Sequence, residues 1–230
     1  MLLMIPCLTM AQKKELSQAR TYIKSGKYDE AEKLVSPLLA DTSNRHNKRV
    51  YLALYDIVKG KYEQANEKLY LKQKYDTAAF FSMVKRMVTV AETLDSMAPE
   101  YRKNHAEHQN TYRVNLFNGG IYHVRKNKWQ DAFDYFETYI DCARQPLFTG
   151  YHYDSLDVRM PQAGYWATYC AYMQKDAVHT LRHRELALRD TAKAEFTLQF
   201  IAEARQWLKD AGFGLQCCSP ALTPANPETR

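Results

Sequence analysis

No Cys-x-x-Cys pair occurs in the sequence, and its five cysteines, spread over 230 residues, offer no spacing suited to a structural zinc site. Eight glycines and eight prolines are too few for a collagen-like or low-complexity chain, and too few for a sandwich built on many tight turns. A mean hydropathy of −0.55 excludes a polytopic membrane protein. Charge of one sign is not concentrated along the chain. Lys and Arg total 32 against 26 Asp and Glu. The basic pairs Lys13-Lys14, Lys72 with Lys74, Lys85-Arg86, Arg102-Lys103 and Arg182 with Arg184 are scattered, with acids between most of them. That dispersal argues against a nucleic-acid partner, which needs several cations on one face.

What remains is a soluble, folded, helical chain. Hydrophobic residues make up 46% and charged residues 25%, the balance of an ordinary globular protein. Aromatics reach 13%, with 17 Tyr, too many for a disordered chain. Cys142 and Cys170 lie in helical stretches, where they either pair in an exported protein or pack as small buried thiols. Cys7 belongs to an apolar leader and Cys217-Cys218 to the tail.

Residues Met1 to Met10 carry no charge, and Thr9 and Ala11 match the small-residue pattern read by signal peptidase. The expectation is a truncated signal peptide over residues 1–11, cleaved after Ala11. The segment is too short to span a bilayer. Pro6 directly before Cys7 argues against a lipid anchor.

Internal repetition is plain. Ser25-Gly26-Lys27-Tyr28-Asp29-Glu30-Ala31 aligns with Lys59-Gly60-Lys61-Tyr62-Glu63-Gln64-Ala65, so that Gly26 and Gly60, Tyr28 and Tyr62, and Ala31 and Ala65 share one offset, as do Ala19 and Ala53 upstream. A third copy reads Asn127-Lys128-Trp129-Gln130-Asp131-Ala132, with Gly120 at the position of Ala19 and Ala53. The physics of a helical hairpin accounts for each position. Apolar residues before the glycine fall at helical spacing. The glycine ends the first helix, where a positive φ costs nothing without a Cβ. The aromatic fills the space between paired helices, and the small alanine lets their backbones approach.

This pattern resembles the tetratricopeptide repeat family. The resemblance is carried by Ala19, Tyr22, Gly26, Tyr28 and Ala31; by Leu52, Ala53, Gly60, Tyr62 and Ala65; and by Gly120, Trp129, Ala132 and Phe136. It implies an all-α solenoid of helical hairpins wound as a right-handed superhelix, with four to five repeats and the last one incomplete. The expected units are residues 12–45, 46–79, a degenerate copy over 80–112, and 113–144. A long loop with aromatic residues follows over 145–164, then further helical repeats over 165–212 and a disordered tail over 213–230. Within the degenerate unit, Phe80 to Leu94 is an apolar helix and Pro99 opens a polar one.

Constellations that carry chemistry are few. His179 with His183, and His105 with His108, have helical spacing but lack the partners of a metal site. Gly119-Gly120 has no following Lys-Ser/Thr, and reads as a close helix–helix contact. The reading is therefore a non-enzymatic scaffold with no cofactor or metal, which binds a protein or peptide on its concave wall. The expected wall is Arg20, Ile23 and Lys24, then Leu54, Ile57 and Val58, then Phe117, Ile121 and Val124. It is mostly apolar with a basic edge. The clamp by which related repeats hold the acidic tails of heat-shock chaperones is absent, since its positions carry Leu16, Arg20, Tyr51, Val114 and Asn118.

Two rival readings stand beside this one. In the first, Phe148, Tyr151 and Tyr153 of the long loop stack on sugars in a nutrient-uptake accessory protein. In the second, the chain is a regulatory piece of a larger protein. The leader and the Ala11-Gln12 junction resemble those of exported proteins of the bacterial envelope, so the expected location is the periplasm or envelope, or the cytoplasm if the N-terminal segment is not a signal.

Overall fold

Asn47, Asp76 and Asp176 each turn a side-chain oxygen onto a backbone N–H two or three residues ahead, at 2.9–3.2 Å, and a helix starts after each of them. The computed structural model describes the backbone of residues 5–212 and the side chains of residues 12–212. Among the described residues all regular structure is helical. The elements are α1 (Ile5–Lys24), α2 (Tyr28–Ala40), α3 (Lys48–Tyr70), α4 (Thr77–Met97), α5 (Arg102–Tyr112) and α6 (Val114–Val124). They continue with α7 (Trp129–Asp141), α8 (Tyr153–Leu156), α9 (Met160–Met173), α10 (Ala177–Arg182), α11 (Arg184–Ala187) and α12 (Ala194–Asp210). Met1–Met4, the tail 213–230 with Cys217-Cys218, and the side chain of Cys7 lie outside the described residues. The backbone of α1 runs unbroken across Ala11, the expected cleavage point.

Four helices end in the same way. Beyond α1, α3, α6 and α9 comes a residue in the left-handed region: Gly26 at φ 71°, Lys72 at 55°, Asn127 at 55° and Lys175 at 57°. In each case the next amide bonds back to the carbonyl five residues earlier. Lys27 reaches Tyr22, Gln73 reaches Lys68, Lys128 reaches His123 and Asp176 reaches Ala171, at 2.9–3.1 Å. This is the Schellman cap, which satisfies carbonyls that a helix end otherwise leaves open. After each cap the chain reverses into a partner helix, giving the hairpins α1–α2, α3–α4, α6–α7 and α9–α10.

The hairpins stack in chain order. Helix α3 packs on α1, α2 and α4; α6 packs on α4 and α7; α9 lies against α7, α10, α11 and α12. Among the described residues no side-chain hydrogen bond joins positions more than 54 apart in sequence, the span of Arg86 to Glu32 and of Gln109 to Tyr55. Charged groups tie successive hairpins together. Lys61 on α3 bridges to Asp29 and Glu32 on α2, and Arg86 on α4 shares Glu32. Asp95 on α4 takes both Nε (2.7 Å) and Nη2 (2.8 Å) of Arg102 at the start of α5.

Two expectations about glycine part company here. Gly26 does end α1. Gly60, its sequence counterpart, does not end a helix: α3 passes straight through it to Tyr70. A Cβ on Gly60 would lie 2.1 Å from Cζ of Tyr28, so the glycine makes room for that ring, not for a turn. The unit expected over 46–79 therefore does not close on itself. Its helix α3 pairs instead with α4, whose partner was expected in the next unit. Gly119 and Gly120 are helix–helix contacts, with Tyr135 2.9 Å and Phe136 2.5 Å from where a Cβ would sit.

The long loop is also shorter than expected. Pro146–Tyr151 forms 3-10 turns, α8 follows, and α9 begins at Met160, inside the stretch expected to be irregular. Phe148 (2% exposed) and Tyr153 (7%) belong to the core. Cys142 and Cys170 are fully buried free thiols, each pushed up to about 12 by burial, so the disulfide alternative is not realised.

Candidate functional site

Exposure separates the expected wall residues into three sets. Leu54 (5%), Ile57 (0%) and Val58 (0%) lie in the core, so they cannot be groove contacts. The physical reason is the unbroken α3. The face of α3 that holds these three residues is covered by α1, α2 and α4. Ile23, Phe117, Ile121 and Val124 are half-buried and pack against the same core. Phe117 sits edge-on to Phe136 at 5.4 Å and to Tyr139 at 5.7 Å. Only Arg20 and Lys24 remain exposed.

What α1, α3, α5 and α6 present together is polar. Asp56 lies in the field of Lys59 and of Arg20 across the α1–α3 contact. Lys59 bridges to Glu63 one turn on, at 2.7 Å. Glu63 accepts from the Tyr112 hydroxyl at 3.1 Å, which links α3 to α5. Asn118 donates to Asn115 at 3.1 Å, and Asn115 donates to the Tyr62 hydroxyl at 2.7 Å, which links α6 to α3. Gln109 donates to the Tyr55 hydroxyl at 3.3 Å. Burial, with Glu63 beside it, pushes the Tyr112 hydroxyl up to about 12, so it is a hydrogen-bond donor throughout the physiological range. Burial does the same for Tyr55, also to about 12, with the Gln109 bond acting against it.

Asp56, Lys59, Glu63, Tyr112 and Asn115 were not among the sequence candidates. A polar residue at helical spacing reads as a solvated face, and only the folded contact between α3 and α5–α6 shows that these form one row. Asn118 was noticed at the sequence level only as a missing chaperone clamp. The members of the row bond to one another, and Lys59 with Glu63 is its ion pair.

The aromatic candidates serve the interior. Arg113 (4% exposed) joins α5 to α6, and its guanidinium lies between the rings of Tyr139 (3.6 Å) and Tyr153 (3.7 Å). Asp157 pairs with Arg113 and accepts from the Tyr139 hydroxyl at 2.6 Å. Tyr151 stacks on Tyr153 at 5.5 Å. Both faces of Tyr153 are thus covered, one by Arg113 and one by Tyr151, and Phe148 is in the core, which leaves half-buried Tyr151 as the accessible ring of the three. Burial alone would raise Asp157, but the bonds from Tyr139 and Arg113 outweigh it and hold the carboxyl below the usual range.

The histidine pairs do not converge. His179 Nδ1 lies 2.6 Å from Asp176, while buried His183 faces Glu137 at 3.3 Å. His105 lies tilted against the ring of Tyr55, with centroids 4.2 Å apart. Among the described residues no helix is long and apolar enough to cross a membrane. Compared with protein-family models, with curated proteins and with solved structures, the chain matches none.

Proposed function

We propose that this chain is a non-enzymatic binding scaffold: a tetratricopeptide-like right-handed array of helical hairpins that holds a protein or peptide partner. One observation carries the reading. Helix α1 packs beside α3, and the Tyr112–Glu63 and Asn115–Tyr62 hydrogen bonds tie α5 and α6 to α3, so side chains from four helices line up as one polar row. The partner surface is that row, from Arg20 and Lys24 through Asp56, Lys59 and Glu63 to Tyr112, Asn115 and Asn118. Its polarity favours an extended segment rich in polar and charged groups, where the mostly apolar wall expected from the sequence would have suited an amphipathic helix or an apolar peptide. Coverage of Tyr153 on both faces weighs against stacking of sugars on the loop aromatics. The apolar leader supports export to the envelope as part of the same reading.

The test is affinity capture with the full chain against the double variant Glu63→Lys with Asn118→Lys, both positions being exposed. The reading requires a partner retained by the wild type and lost by the variant, with both showing the same helical circular dichroism. A partner retained equally by both removes the row from consideration. Leu54→Asp is unsuitable as a control, because it places a charge in the core.

A further inference from the structure

Basic residues scattered in sequence come together at the start of the array. A cleft of about 410 Å³ lies between α1 and the beginning of α3. Four of its lining side chains are basic (Lys13 from α1, and His46, Lys48 and Arg49 from the entry to α3), and none is acidic. Leu16, Leu38 and Val50 provide its apolar wall, and Gln12 and Asn47 its remaining polar groups.

Local pairing accounts for little of this charge. Lys48 bridges to Glu100 at 3.0 Å with both side chains about half exposed. Among the described residues Lys13, His46 and Arg49 have no carboxylate within 4.0 Å. The Gln12 amide is turned to Asp41 at 3.2 Å, and Asp41 also caps Ser43. Residues 1–11, which precede this part of α1, contain no charged side chain that could neutralise the cleft.

The placement is electrostatically costly for the helix itself. Lys48 and Arg49 occupy the first turn of the 23-residue α3, which has no acid there. A helix N-terminus carries partial positive charge and ordinarily favours Asp or Glu. Two cations at that end, with His46 beside them and Lys13 across the cleft on α1, form an unbalanced positive pocket whose complement is an anion.

A second basic cleft, lined by Arg144, Arg182, Arg184 and Arg189, contrasts with it. There Arg182 meets Glu137 at 3.1 Å, Arg144 faces Asp141 at 3.7 Å, Arg184 faces Glu185 at 3.5 Å, and Arg189 donates to the Asp154 carbonyl at 3.4 Å. Its cations are spent on the protein's own acceptors.

We infer that the cleft between α1 and the start of α3 binds a phosphate group, held by Lys13, His46 and Arg49 with Lys48 at its edge. The group is either that of a free phosphate or ester, or that of an anionic lipid headgroup. This site is separate from the polar row, so either can fail without the other.

The test uses the full chain and three probes: inorganic phosphate, phosphatidylglycerol vesicles and phosphatidylcholine vesicles. Thermal melts in phosphate are compared with chloride at equal ionic strength, which separates a site from general salt effects. A saturable rise in Tm for the wild type, with affinity falling roughly tenfold in Lys13→Gln combined with Arg49→Gln, supports a free phosphate or ester. Co-sedimentation with phosphatidylglycerol but not phosphatidylcholine, lost in the same variant, supports a headgroup. Arg49→Gln alone, in phosphate-free buffer, should raise Tm by about 2 °C, since it removes a cation from the helix start, a gain that misfolding cannot imitate. The inference is overturned if neither phosphate nor phosphatidylglycerol binds, or if the double variant binds as the wild type does.

Discussion

The ring of Phe136 lies where a side chain on Gly120 would be: a Cβ built there falls 2.5 Å from its Cζ. Phe136 is fully buried, so the ring has nowhere to go. Gly60 and Tyr28 repeat the relationship at 2.1 Å, but Tyr28 is only half-buried and its ring can swing outward.

Replacing an ordinary helical glycine by alanine gains up to about 1 kcal/mol. Gly120→Ala should instead cost about 1–3 kcal/mol, as overpacked cores do. Gly60→Ala should cost less than Gly120→Ala. Chemical denaturation of the two variants gives the order directly, and a stabilised Gly120→Ala contradicts the packing.

The left-handed caps carry a prediction of the opposite sign. Lys72 and Lys175 hold φ 55° and 57°, where a side chain is strained. Lys72→Gly and Lys175→Gly should each stabilise by roughly 0.5–1 kcal/mol. Gly26→Ala, at φ 71°, should destabilise by a similar amount. Thermal melts of the three variants check all the signs.

Asp157→Asn leaves the Arg113 guanidinium buried without its counter-charge, and should cost about 3–5 kcal/mol at neutral pH. The wild-type contribution depends on pH in a defined direction. Asp157 titrates below its ordinary 3.8 when folded, so its stabilisation is complete above that value and is lost as pH falls through the folded pKa. Denaturation curves of wild type and variant should therefore converge in acid. A gap that stays constant into strong acid would show that the ion pair is not the source.

Glu92 behaves in the reverse manner. Burial, with Asp141 adding repulsion, pushes its carboxyl up to about 7 from an ordinary 4.5. The folded chain then holds a proton that the unfolded chain has released, so stability falls as pH rises from about 4.5 to 7. Glu92→Gln should be indistinguishable from wild type below that window and more stable than wild type above it. Urea titrations on either side of the window measure the difference.

Legibility followed the kind of signal each element carries. The end of α1 was readable because Gly26 is a glycine at a left-handed position, and the start of α7 because Trp129 follows a turn residue. The caps at Lys72 and Lys175 use the same backbone geometry with a residue that announces nothing. Gly60 misled for the complementary reason. A glycine placed for a ring contact looks the same in sequence as one placed for a turn, and apolar spacing continues on both sides in either case. The core residues Leu54, Ile57 and Val58 were recognised as one helix face, but which helices cover that face depends on the length of α3. The polar row depends on the contact of α3 with α5 and α6, which no local pattern expresses.

The most direct test of the binding row is site-specific photo-crosslinking in cells that produce the chain, with the reactive group placed at Asn118 on α6 or at Ser36 on α2. Both positions are exposed. The account predicts one discrete crosslinked partner from position 118, absent from position 36 and lost when Glu63→Lys is added. Equal crosslinking from both positions, or a product at 118 that is indifferent to Glu63→Lys, would contradict it.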